Sequence, residues 1–163
     1  MSGIEKFFLS FGGSGYLPKA PGTAGSILAF AVFTALHEVL PLHPEYRVAI
    51  MLLLILAMTI AAIPLIAAHT PPKRPDASWI TVDEAVGVAI AILPAFALAD
   101  YHFGHALFAL ACFRFFDIVK PLGIRSIDAE QTPVSVMLDD IVAGIYALFC
   151  GLAMYALAAP ILA

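Results

Sequence analysis

Five apolar runs, separated by short polar clusters, set the pattern of this chain. They extend from about Ala24 to Leu40, Val48 to Ala68, Ala85 to Leu98, Ala106 to Val119 and Ile141 to Leu162. A helix that crosses a bilayer needs roughly 20 mostly apolar residues. The second and fifth runs meet that length. The first is stopped by Pro41 and flawed by His37-Glu38, the third contains Pro94, and the fourth is short. Extending the third run back through Trp79 would lengthen it and carry its acids into the bundle. The pattern predicts an all-α integral membrane bundle of about five hydrophobic helices.

Between the runs lie four polar clusters: Ser14–Ser26, Asp76–Glu84, Arg114–Arg125 and Asp139–Asp140. Positive charges in the connections orient them. Lys6, Lys19, Lys73, Arg74, Lys120 and Arg125 fall on one side of a five-span arrangement, and Arg47 alone on the other. The excess of Lys and Arg marks the cytoplasmic face, which predicts a cytoplasmic N-terminus and an external C-terminus. All four clusters then meet at the cytoplasmic ends of the helices.

Composition supports the membrane reading. Of 163 residues, 62% are hydrophobic and only 12% charged, with a mean hydropathy of +0.97. Soluble domains are nearer a quarter charged. The length suits one domain, spanning residues 1–163, and a net charge of −4 excludes a broad basic nucleic-acid surface. Cys112 and Cys150 lie in apolar runs without metal-type spacing and read as core-filling thiols. Met1–Ser10 lacks the apolar stretch of a cleavable signal, and with Phe7, Phe8 and Phe11 it predicts a retained, short interfacial helix.

Carboxylates are costly in a hydrocarbon setting, so acids in so apolar a chain point to use. Asp83-Glu84 and Asp139-Asp140 are adjacent pairs, and Asp117 lies between Arg114 and Lys120. A structural reading exists for each. Thr81 and Glu84 form a capping-box pattern, and one of Asp139-Asp140 suits a helix start. Arg114, Asp117 and Lys120 fall on one helix face, where they could form a ladder of ion pairs. Yet a cap needs one acid, not two. Paired acids on one membrane side, with nearby cations, suit a divalent metal and a phosphate. The Gly- and Pro-rich Ser14–Ser26 segment opens a helix, so its amides with Thr23 and Ser26 offer an anion cradle. Asp100, His102 and His105 lie on the opposite side, and with His37, Glu38, His43 and His69 they read as interfacial residues.

At these clusters the chain resembles the phosphatidylglycerophosphatase A family. The resemblance rests on Pro18–Ser26, Ile80–Gly87, Phe113–Pro121 with Ile124-Arg125, and Met137–Gly144. It departs at Gly123, where the family usually has a second Pro, and at Asp128–Ser135, which lacks the usual basic, Gly-rich character. The resemblance implies a multi-pass bacterial inner-membrane enzyme of phospholipid biosynthesis. Such an enzyme uses Mg²⁺ to convert phosphatidylglycerophosphate to phosphatidylglycerol and phosphate.

On that basis Asp83, Glu84, Asp117, Asp139 and Asp140 are the expected catalytic residues, with Glu84, Asp117, Asp139 and Asp140 holding the metal. Lys19, Gly22, Thr23, Arg114, Lys120 and Arg125 are expected to bind substrate phosphate. The phospholipid substrate would keep its acyl chains in the bilayer, and a homodimer would shelter the underlength fourth helix. Alternatives are a phosphatase for another lipid or isoprenoid phosphate and, in a different class, a small ion-coupled transporter. A transporter should place its acids near the midplane, within repeated halves; this chain shows neither.

Overall fold

The computed structural model describes residues 1–71, 76–97 and 103–162, with side chains through 157. Lys73 and Arg74, used above to orient the chain, lie outside the described residues, as do Asp100 and His102. The described residues form helices joined by turns, with no strand among them.

Helix α1, Gly3–Leu9, is closed at its start by a capping box between Ser2 and Glu5. Its Ile4 and Phe7 are exposed while Leu9 is buried, as suits a helix lying in an interface. Glu5 also reaches His69, 3.3 Å away at the end of α3. A turn through Gly12 and Gly13 and a single 3-10 turn, Ser14–Tyr16, lead to α2, Pro21–Val39. Pro21 occupies the first helical position, where a missing N–H costs nothing.

Helix α3 covers Pro44–His69 and α8 covers Pro133–Leu162. Among the described residues, three helices are long and apolar enough to cross a membrane: Pro21–Val39, Pro44–His69 and the Pro133–Leu157 part of α8. The third predicted run is not one helix. It divides into α4, Val82–Ala91, and α5, Leu93–Ala97. Pro94 accounts for the break, because it cannot donate to the carbonyl of Ile90 and its ring crowds that carbonyl. Helix α6, Phe103–Val119, holds 17 residues, or about 26 Å at the usual rise. Helix α7, Ile124–Asp128, is a short element before α8.

The final helix starts eight residues before the predicted Ile141. Thr132 and Ser135 make its entry: each hydroxyl accepts from the other residue's amide, at 3.0 and 2.9 Å. Asp139 and Asp140 therefore lie well inside α8 and cap nothing. The capping box expected at Thr81 is also absent. Thr81 precedes α4, but its side chain makes no cap bond and instead meets the Ser14 hydroxyl at 2.9 Å. That leaves the Glu84 carboxylate for other work.

Helix α4 is the centre of the bundle. Val82, Asp83, Ala85, Val86, Gly87, Val88, Ala89 and Ala91 are all buried, and α2, α3, α6 and α8 pack around them. An apolar surface on every side is what a helix in that position requires. Its crossing with α8 depends on two glycines. A Cβ on Gly144 would lie 2.6 Å from the Gly87 carbonyl oxygen, and one on Gly87 would lie 2.9 Å from the Asp140 carbonyl oxygen. Small residues let the two backbones meet. Asp83 and Asp140 each lie one turn before their glycine, so this crossing brings the two acid pairs together.

Candidate metal and phosphate site

Four elements and a loop close around a cavity of about 100 Å³. Its lining includes Asp83 and Glu84 from α4, Asp117 from α6, Asp139 and Asp140 from α8, and Lys120 from the turn after α6. Asp76 and Asp128 complete it. All five predicted catalytic acids are thus brought together from positions 83 to 140.

The tightest grouping is Asp83, Glu84 and Asp140, whose nearest carboxylate oxygens all lie within 4.8 Å of one another. Like charges so close repel strongly away from water, so the arrangement calls for a cation or a proton among them. The donor set is all carboxylate oxygen, which suits a hard divalent ion. One oxygen of Glu84, Oε2, is buried and has no hydrogen-bond partner among the described residues. Buried acceptors seldom remain unpaired. These residues can hold a metal ion. Asp83, an expected catalytic residue, belongs to the grouping with Glu84 and Asp140, while Asp117 and Asp139 line the same cavity.

Asp117 is engaged by Arg114, whose Nη1 donates to Oδ2 at 2.5 Å. The same guanidinium donates to Ser26 Oγ at 3.1 Å and to Thr23 Oγ1 at 3.3 Å. Arg114 therefore joins α6 to the first two turns of α2. Gly22 lies between the two charges: a side chain there would strike Glu84 Oε1 and come within 3.7 Å of Arg114 Nη1. The start of α2 thus lies beside the acids.

Lys120 does not continue the stripe on α6. Helix α6 ends at Val119, Lys120 takes a left-handed backbone (φ 49°), and its Nζ bridges Asp128 Oδ1 at 2.7 Å and Asp139 Oδ2 at 2.6 Å. Burial works against its charged form, but the two carboxylates outweigh that and hold the ammonium above the usual lysine range. Lys19 and Arg125 are exposed and are not among the residues lining the cavity. Asp76 and Asp128 escaped the candidate set because each stands alone in a loop-like stretch, without a neighbouring acid. The available signals were Asp76's place at the start of one polar cluster and the expected cytoplasmic position of both connections.

The family model for phosphatidylglycerophosphatase A matches residues 7–155. The chain belongs to the phosphatidylglycerophosphatase A family. It is 34% identical over 137 residues to phosphatidylglycerophosphatase A of Haemophilus influenzae, covering 83% of this chain and 78% of that one. It is 40% identical over 134 residues to a Bacteroides thetaiotaomicron protein named "Putative phosphatidylinositol-3-phosphatase", covering 82% of each. No solved structure matches the chain. Membership makes the chain a phosphatase, the enzyme class expected from its sequence, and all four motifs lie within the matched residues.

Proposed function

We propose that this family member hydrolyses the terminal phosphate of phosphatidylglycerophosphate, with Mg²⁺, at the cytoplasmic face of a bacterial inner membrane. The observation that carries the reading is the Asp83–Glu84–Asp140 grouping beside Arg114. Oxygen donors for a hard cation stand next to a guanidinium already bound to hydroxyls at a helix start. Among the described residues, seven carboxylates line the cavity against the ammonium of Lys120, so an anionic phosphate needs added positive charge to enter.

Glu84, Asp140 and Asp83 would hold the ion, with Asp117 and Asp139 at its margin. Bound Mg²⁺ supplies charge neutralisation of the phosphoryl oxygens and activation of an attacking water. Arg114 then binds two phosphate oxygens from one side, supported by Thr23 and the α2 amides around Gly22. Lys120 approaches from the other side. Hydrolysis of a phosphate monoester asks for on the order of 20 kcal/mol of transition-state stabilisation, and these preorganised charges are its source. Among the described residues neither Cys nor His lines the cavity, so attack falls to water or to a carboxylate. An acid of the cavity accepts the proton when water attacks. Lys19 and Arg125, at the exposed rim, are suited to the second, diester phosphate of the headgroup.

In this reading α2, α3, α4–α5, α6 and α8 make five passes with the N-terminus inside, α5 completing the third. The lipid's acyl chains stay in the leaflet beside the helices while its headgroup reaches the cavity. A homodimer would cover the underlength α6. The Bacteroides relative favours a second reading, a phosphoinositide monophosphate as substrate. Purified protein with Mg²⁺ should be offered phosphatidylglycerophosphate, phosphatidylinositol 3-phosphate, phosphatidate and isoprenyl phosphates, and phosphate release compared. Fastest release from the first is expected. Release from another lipid with none from the first would overturn the substrate assignment.

A further inference from the structure

We propose that Asp128 is a positioning residue that competes with substrate phosphate for the Lys120 ammonium. The inference rests on reading the cavity as a phosphatase site. Lys120 reaches the cavity through an unusual backbone: Lys120 and Leu122 have φ values of 49° and 54°, and Gly123 has 93°. Left-handed conformations at two non-glycine residues persist only where the surroundings fix them. The ion pairs of Nζ with Asp128 and Asp139 anchor Lys120, while the Tyr146 hydroxyl, donating to the Leu122 carbonyl at 3.0 Å, holds Leu122.

The two partners differ in how firmly each is held. Asp139 is 9% exposed and sits on α8, inside the bundle; Asp128 is 32% exposed and ends the five-residue α7. An ammonium has three N–H donors, and the two carboxylates use two of them. A phosphate dianion that takes the third donor is a stronger acceptor than the one-third-exposed Asp128 carboxylate and repels it, so the two anions compete for the same ammonium. Lys120 then keeps Asp139 and exchanges Asp128 for a phosphate oxygen, and Asp128 takes it back when phosphate leaves. Asp128 is therefore a brake on phosphate affinity and an aid to product release.

The test is equilibrium binding of inorganic phosphate, with Mg²⁺, to the purified full chain by titration calorimetry, alongside steady-state hydrolysis. Asp128→Asn keeps the shape and removes the competing charge, so phosphate Kd and substrate KM should both fall by about fivefold. Turnover should fall with them as product release slows, while Asp128→Glu stays near the parent on all three. Asp128→Ser serves as a second neutral variant should Asp128→Asn fail to fold, with the same direction expected. Unchanged or weaker phosphate binding in a folded neutral variant would overturn the proposal, even with the parent active. A parent that neither binds phosphate nor hydrolyses lipid would overturn the phosphatase reading together with it.

Discussion

Asp83, Glu84 and Asp140 crowd their oxygens within 4.8 Å in a bundle that offers little water. Such crowding destabilises a protein unless a ligand rewards it, so these acids separate stability from function. Asp140→Asn removes one negative charge while keeping shape, and its expected effect is loss of turnover by about 100-fold or more. The thermal midpoint measured without Mg²⁺ should hold or rise. Near-normal turnover would remove Asp140 from the site. Arg114→Lys should cost at least about tenfold in kcat/KM, because an ammonium cannot span Asp117, Thr23 and Ser26 as the planar guanidinium does. The acid pairs and Arg114 were legible in the sequence, since charge inside apolar runs is conspicuous. Their partners were not. Arg114 meets Ser26 and Thr23 across some ninety residues, and Lys120 turns away from the face its spacing predicted because the backbone reverses after Val119.

Elements carry these residues into register, and the α4–α8 crossing does most of it. Gly144→Val would drive a branched side chain into the Gly87 backbone, which cannot give way. The expected cost is about 1–3 kcal/mol of stability, from the range for overpacked interiors. Because Asp140 lies one turn away, turnover should fall with it. Thermal unfolding in detergent together with the activity assay checks this; a variant that melts and turns over like the parent would contradict the role of the crossing. The sequence showed the helical runs but not their ends. Pro94 divided one run in two, and the Thr132–Ser135 exchange began α8 early, making internal acids of residues that resembled caps. Tertiary contact decided Thr81, whose hydroxyl chose Ser14 over its own helix.

For the whole molecule, five passes would place the acids, the α6–α7 turn and the N-terminus on one side, with the α2–α3 connection on the other. A single cysteine at Ser126, with Cys112 and Cys150 replaced by alanine, should be labelled by an impermeant reagent only from the cytoplasmic side. One at Glu45 should be labelled only from outside. The same sidedness for both would contradict five passes. The measurement closest to the central claim is phosphate release from phosphatidylglycerophosphate by the purified protein before chelation, after it, and after Mg²⁺ is restored. The account predicts release that stops with chelation and returns with Mg²⁺. Release that continues undiminished without divalent cations would contradict it.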